Sequence, residues 1–239
     1  MHKTFLLIAI SLLFVSGAMA DGVCPTGGGS LSAYIPVAYG GTSVFTSCHI
    51  GTLDFSNFFF GSTSGGGANP LSPSQIAVNT VNNGPLGEGF AFAPISGLTV
   101  TQPGNIDVEV GFTVTGASLD DLGISFNATT GGSGNADFTE SWCFANETVP
   151  SCIVATDGSF HVHDPPPNLK NTKVFASPVP ALTVLKDVAI NTGSTTGNAN
   201  VSAFGNTFSY VPEPTYTALL AVGLLGLGWM RKRRQSEQR

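Results

Sequence analysis

The segment "NIDVEVGFTVTG", residues 105–116, constrains the fold more than any other, because apolar and polar residues alternate through it without interruption. One side of the segment carries five apolar residues: Ile106, Val108, Val110, Phe112 and Val114. Successive side chains of a β-strand point to opposite faces, so five matches to a period of two predict a half-buried strand. An amphipathic helix would instead need apolar residues three and four positions apart.

A second segment, "LGISFNA" (residues 122–128), repeats the alternation, and Asp120 and Asp121 between the two runs predict a turn. Shorter strands are predicted at residues 76–81, 90–92, 98–101, 160–162, 173–175, 182–185 and 207–210. Clusters of Gly, Asn, Ser and Pro separate them, and no long helical crossover lies between them. We therefore expect a mainly β chain, with residues 21–210 forming one antiparallel β-sandwich of the jelly-roll type.

The densest aromatic stretch is "SCHIGTLDFSNFFF", Ser47–Phe60. We expect Leu53 and Phe55 to share one strand face, and Phe58 and Phe60 to fill a core.

The charged residues of the chain bear on its binding partners. Between residues 21 and 211 there are thirteen acidic residues and three lysines, a net charge of about −10. Such an acidic region excludes nucleic acid as the expected partner, because affinity for phosphates depends on Lys and Arg.

The first twenty residues, "MHKTFLLIAISLLFVSGAMA", have the layout of a secretory signal peptide. Lys3 precedes an apolar helix-forming stretch, and Ala18 and Ala20 form a small-residue cleavage site. The expected partners are the export machinery and signal peptidase, with cleavage after Ala20. The alternative is a retained N-terminal anchor.

The other end, residues 211–239, places a Pro-Glu-Pro sequence before sixteen uncharged residues, 215–230. A helix of that length spans about 24 Å, which is short against a hydrocarbon core of about 30 Å. We nevertheless expect a single transmembrane helix, because a stop-transfer cluster of cations follows it: Arg231, Lys232, Arg233 and Arg234. The alternative is a plain tail anchor whose prolines only mark the helix boundary.

The stretch "VPEPTYTALLAVGLLGLGWMRKRR" resembles the PEP-CTERM sorting signal, in which V-P-E-P precedes an apolar helix and a basic cluster. The resemblance implies that Pro212, Glu213 and Pro214 are the motif recognised by an exosortase, a membrane-embedded transpeptidase-like enzyme. Family members occur in Gram-negative bacteria that make exopolysaccharide. The resemblance therefore implies export across the inner membrane, a membrane-anchored precursor, and a mature form at the cell surface or outside the cell.

Three further elements resemble a recurrent ectodomain of PEP-CTERM proteins: Cys-x-Ile-Gly-x-x-x-Phe-Ser-Asn-Phe within residues 47–60, "ESWC" at 140–143 and "PVPALTVLKDVAI" at 178–190. This ectodomain type has no assigned activity. The resemblance thus supports location and fold more than function.

Four cysteines in an exported chain predict disulfides. Three pairings are available, and we favour the one that is local in sequence: Cys24 with Cys48 and Cys143 with Cys152. Zinc is the rival interpretation, but the chain has no C-x-x-C motif. We expect no cofactor.

Two groups of residues are candidates for binding a metal ion. In a strand, His161 and His163 would point the same way beside Asp164, but we favour a solvated strand face, because the spacing fixes no third ligand. A calcium site is the second candidate, although we favour turn chemistry and surface charge as the explanation of its residues. Its ligands would be Asp107, Glu109, Asp120 and Asp121.

Three functions remain after these observations. The first is a non-enzymatic structural or matrix protein sorted by an exosortase. The second is a carbohydrate-binding module for exopolysaccharide, which exposed aromatic side chains lining a groove around Trp142 would favour. The third is a secreted hydrolase, which lacks a G-x-S-x-G motif and would need carboxylates clustered in a cleft.

Overall fold

The computed structural model describes residues 22–25, 29–43, 46–100, 103–144, 149–152, 157–164, 168–193 and 197–211. The signal peptide predicted for residues 1–20 lies outside these residues, as does all of the predicted sorting tail except Val211. In the described part of the chain, no helix combines the length and apolar character needed to cross a membrane.

The described residues are almost entirely β-structure, which confirms the mainly β, antiparallel prediction. A single α-helical turn, α1, is found among them at Val149–Cys152. The strands are β1 (Gly29–Ser30), β2 (Ser47–Ile50), β3 (Leu53–Gly65), β4 (Ile76–Asn82), β5 (Glu88–Pro94), β6 (Leu98–Val100), β7 (Asn105–Gly131), β8 (Asn135–Cys143), β9 (Gly158–His163), β10 (Leu169–Asn191) and β11 (Asn198–Val211).

All eleven strands belong to one sheet, whose main path runs β1-β4-β5-β11-β7-β10-β8-β9. One edge of β7 pairs with β3 over residues 105–115 and with β11 over residues 118–131. The other edge pairs with β10 along nearly the whole of both strands. The sheet therefore has two halves, and β7 and β10 run through both of them.

The two halves are joined by a bend in β7 at Gly116, not by a turn at Asp120 and Asp121. Gly116 has φ +123°, and a Cβ there would lie 2.6 Å from the carbonyl oxygen of Thr52, so only glycine fits. Asp121 lies inside β7 and accepts hydrogen bonds from the backbone nitrogen and hydroxyl of Ser209. The predicted turn is wrong because β7 runs on through Asp120 and Asp121, and its ladder with β10 resumes after two register irregularities between Thr115 and Asp121.

The two halves face each other across an aromatic core. Phe55 of β3 lies 4.8 Å from Phe90 of β5, measured between ring centroids, and Phe126 of β7 lies 4.6 Å from Phe138 of β8. The interior thus resembles that of the expected sandwich. The hydrogen bonding does not, because the shared strands make the molecule one curled sheet instead of two separate layers.

The aromatic stretch behaves as its sequence predicts. Leu53, Phe55, Phe58 and Phe60 are all buried. The buried positions shift by one between Phe55 and Phe58 because Asn57 has φ 53° and the register of β3 slips there. This bulge keeps Leu53 and Phe55, and also Phe58 and Phe60, facing the core.

Both predicted disulfides are present, and all four cysteines are used. Cys24–Cys48 ties the N-terminal segment to β2. Cys143–Cys152 holds α1 against the outer face of the sheet, where Val149 covers Gly111: a Cβ on Gly111 would lie 2.4 Å from Val149 Cγ1. Two disulfides are typical of an oxidising compartment, either extracellular or periplasmic.

Replacing each disulfide with two alanines should destabilise the protein according to the loop it closes. Loss of Cys24–Cys48 is expected to lower the free energy of unfolding by about 3.5 kcal/mol, and loss of Cys143–Cys152 by about 2.7 kcal/mol. The longer loop restricts the unfolded chain more. Urea unfolding of the two double variants measures both values, and unchanged midpoints would contradict the prediction.

Candidate functional site

The histidine candidates lie on β9, where His161 and His163 share an exposed face as predicted. They have different partners. His163 Nδ1 lies 2.6 Å from Asp137 Oδ1, and His161 Nδ1 lies 2.9 Å from the hydroxyl of Thr139. The hydrogen bond to Asp137 raises the pKa of His163. Across the described ranges, no group of three or more His, Cys, Asp or Glu side chains has the arrangement to hold a metal ion.

The four carboxylates proposed for calcium do not come together. Asp107 and Glu109 lie in the first half of β7, and Asp120 and Asp121 lie in the second half, beyond the bend. The structure places a different carboxylate beside the first two. Asp187 of β10 lies directly opposite Glu109 in the strand register.

The carboxyl group of Asp187 binds its proton more tightly than an ordinary aspartate does. Its pKa is raised to about 7, first by burial, then by a hydrogen bond with Asp107 and by the negative charges of Asp107, Glu109 and Asp137. Sequence reasoning missed this group because Asp187 follows a lysine in "VLKDVAI", where the pair looks like ordinary surface charge.

Asp187→Asn should change how stability depends on pH. The carboxyl group binds its proton more tightly in the folded protein, so the native protein loses stability as pH rises from about 4 to about 7, and the loss is complete above that range. Allowing for solvent screening, we expect the variant to gain about 1–2 kcal/mol over the natural protein across this window. Urea unfolding of both proteins at a series of pH values tests this, and parallel curves would contradict it.

An open groove, here called the Trp142 groove, lies where β8 and β9 meet the first part of β10. Its volume is about 580 Å³. The lining includes four aromatic residues, Trp142, Phe144, Phe160 and Phe175, and five polar or charged residues, Asp157, Ser159, Asn171, Thr172 and Lys173.

Trp142 is the floor of this groove and not an exposed platform. Its side chain is 5% exposed, and a Cβ on Gly158 would lie 2.4 Å from its ring atom Cζ2. The ammonium group of Lys173 lies 6.0 Å from the ring centroid. Phe144 is the exposed ring at 38%, and it packs edge-on against Phe175 at 5.4 Å. A flat ligand would therefore meet Phe144 before it meets Trp142.

A second feature is buried between the two halves of the sheet. Lys186 of β10 and Glu140 of β8 form an ion pair whose two side chains are fully buried. Asn206 of β11 donates a hydrogen bond from Nδ2 to Glu140 Oε1 at 3.2 Å, and another to the carbonyl oxygen of Gly123 at 3.3 Å. We call Lys186, Glu140 and Asn206 the core triad.

Burial shifts the proton affinities of the two charged members in opposite directions. It raises the pKa of Glu140, against the charge and hydrogen bond of Lys186. It lowers the pKa of Lys186, against the same contact. Both shifts favour a neutral amine beside a neutral acid, because desolvation penalises each charged form.

Sequence reasoning missed the core triad and the strand β8 with it. In residues 136–142 the inward positions are Ala136, Phe138, Glu140 and Trp142. Glu140 interrupts an otherwise apolar alternation, so the sequence alone does not show an unbroken period of two. A charged residue at an inward position was the available signal.

No protein-family model matches this chain, and no curated protein matches it either. Several solved structures resemble it weakly, among them the following three. The carbohydrate-binding module TmCBM61, solved with β-1,4-galactotriose, aligns with 62% of this chain and 86% of its own, at 8% identity and a TM-score of 0.31.

The enzymatically active domain of tailspike protein 4 from bacteriophage CBA120 aligns with 64% of this chain, at 15% identity and a TM-score of 0.27. The glycoside hydrolase domain of Endo-D from Streptococcus pneumoniae R6 aligns with 63%, at 12% identity and a TM-score of 0.28. The chain spans only 19% and 21% of these two proteins. Such scores fall below the level of a shared fold, and the matches assign neither a ligand nor an activity.

Proposed function

We propose that this protein is a non-enzymatic structural or interaction protein of the cell surface or extracellular matrix. In this proposal an exosortase recognises Pro212, Glu213 and Pro214, and the transmembrane helix holds the precursor only transiently. The observation that carries the proposal is the complete pairing of the four cysteines, because disulfides persist outside the reducing cytosol. In this proposal the motif, the apolar stretch and the cations at residues 211–239 act together as the sorting signal.

Processing can be tested in a Gram-negative host that makes an exosortase. The full chain is expressed, and the mass of the mature protein is measured. We expect the natural protein to lose the cluster Arg231–Arg234, and Glu213→Gln to keep it. Glu109→Gln is the matched control, since it neutralises a carboxyl group of the sheet and should leave processing unchanged. A mature natural protein that retains its terminal arginines would overturn the sorting proposal.

A second candidate function, binding of exopolysaccharide, is favoured by the Trp142 groove. An exposed ring at Phe144 offers a stacking surface, and Asn171 and Ser159 offer hydrogen bonds to sugar hydroxyl groups. The groove is open to long chains because it lies at the surface between strands. In this candidate function the same sandwich-like ectodomain would hold the protein within the polysaccharide layer.

Pull-down with isolated exopolysaccharide tests this second function. Phe144→Ala is expected to weaken binding about tenfold, which corresponds to about 1.4 kcal/mol of lost ring contact. Tyr39→Ala is the matched control, because Tyr39 is a partly exposed aromatic residue outside the groove. Binding that is equally weak in both variants, or absent from the natural protein, would exclude the groove as a sugar site.

The hydrolase interpretation has less support. Asp107, Glu109 and Asp187 do lie together, but on an outer sheet face and not among the groove residues. Asp157 is the only carboxylate lining the described groove, and it accepts a 2.7 Å hydrogen bond from the backbone nitrogen of Phe144. We therefore propose no catalytic residue.

A further inference from the structure

The core triad brings an amine, a carboxyl group and a carboxamide together at one site buried from solvent. Lys186 and Glu140 lie directly opposite each other on neighbouring strands, and Asn206 reaches them from the other half of the sheet. None of the three residues is more than 1% exposed. A single carboxyl group contacts both partners, Lys186 through Oε2 and Asn206 through Oε1. The two nitrogen atoms are therefore held on either side of Glu140.

This arrangement supplies the three groups that joining an amine to a carboxamide requires. The amine must be neutral to act as a nucleophile, and burial favours that form. The carboxamide must lose its nitrogen, so a group that can give and take a proton must contact both nitrogens. Glu140 does so, and its burial favours the protonated acid. Phe138, whose ring centroid lies 5.5 Å from Lys186 Nζ, helps to keep water out.

We propose that Lys186 and Asn206 condense into an intramolecular isopeptide bond, with Glu140 transferring the proton. The lone pair of Lys186 Nζ attacks Asn206 Cγ, and the bond from Cγ to Nδ2 breaks. Glu140 accepts a proton from Nζ and gives one to Nδ2, which leaves as ammonia. Glu140 ends as it began, and the reaction consumes no oxidant, reductant or other reactant.

One contact and one unpartnered atom of Asn206 bear on this role. Its hydrogen bond to the carbonyl oxygen of Gly123 fixes the plane of the carboxamide. Its other atom, Oδ1, is buried and has no hydrogen-bond partner among the described residues. The bond would link β10 to β11 and so close the core between the two halves of the sheet. This inference depends on the described residues alone and not on the proposed function.

The test is mass spectrometry of the full chain after secretion, disulfide reduction and denaturation. We expect the natural protein to be lighter than its sequence by one ammonia molecule. We also expect trypsin to leave the chain intact at Lys186. Chymotrypsin, which cleaves after Phe204 and Phe208, should release a branched peptide joining Lys186 to Asn206. Lys186→Arg and Glu140→Gln should both have the full mass.

Asn79→Ala is the matched control, because Asn79 is an exposed carboxamide on β4 and its loss should leave the link intact. The branched peptide also separates this reaction from loss of ammonia by ring closure at another asparagine, which joins no lysine. The natural protein decides the question even if a variant fails to fold. A full mass with no branched peptide would overturn the proposal.

Discussion

Glu140→Leu is expected to unfold more easily than Glu140→Leu/Lys186→Met, with free energies of unfolding that differ by about 3–5 kcal/mol. The single variant leaves the Lys186 amine fully buried without its partner carboxyl group. The double variant replaces both groups with apolar side chains, which removes the desolvation penalty. Neither variant can form the proposed isopeptide bond, so the difference isolates the cost of burying the Lys186 amine without its partner. Urea unfolding followed by circular dichroism measures it.

Lys170→Met provides the comparison for this experiment. Lys170 lies on β10 like Lys186, but its side chain is exposed. Its replacement is expected to change stability by no more than about 0.5 kcal/mol. Equal stability of the single and double variants would show that the Lys186 amine is not stabilised by Glu140. That result would contradict the pairing described for the core triad.

Phe112→Ala is expected to lower the free energy of unfolding by about 3–5 kcal/mol. Phe112 is fully buried and lies between the two halves of the sheet. Its ring centroid is within 6.4 Å of five other rings, those of Phe55, Phe58, Phe90, Phe92 and Phe208. These rings come from β3, β5 and β11, so a cavity here would loosen both halves at once.

Phe144→Ala is the matched change outside the core. Phe144 is 38% exposed, and among the described residues its ring packs against one other, that of Phe175. We expect a loss below about 1 kcal/mol. Thermal unfolding of both variants gives the comparison. Similar losses for Phe112 and Phe144 would contradict the claim that the aromatic cluster holds the halves together.

Local sequence patterns predicted the strands that bury one apolar side and expose the other. The alternation from Ile106 to Val114 is buried on one side as expected, and so are Leu53 and Phe55. The disulfide pairing also followed from short spacing. Local patterns failed at Asp120 and Asp121, because polar residues typical of a turn also occur on the outer face of a long strand.

The core triad could not be found in this way, because each member gains its role from a partner distant in the chain. Glu140 and Lys186 are 46 residues apart, and Glu140 and Asn206 are 66 apart. A lone Lys or Glu in a sequence is read as exposed, since burial without a partner costs several kcal/mol. Only the register of β8 on β10 shows that the partners meet.

By itself the sequence determined that this chain is an antiparallel β protein rich in phenylalanine, and it favoured the local pairing of the four cysteines. Period-two alternation and short-range cysteine spacing are local properties, so neighbouring residues are sufficient to encode them. The tertiary structure decided the rest: the bend at Gly116 that makes one sheet from two layers, the Trp142 groove and the buried core triad. These depend on strand register and long-range contact, which arise only when distant segments pack and exclude water from the groups between them.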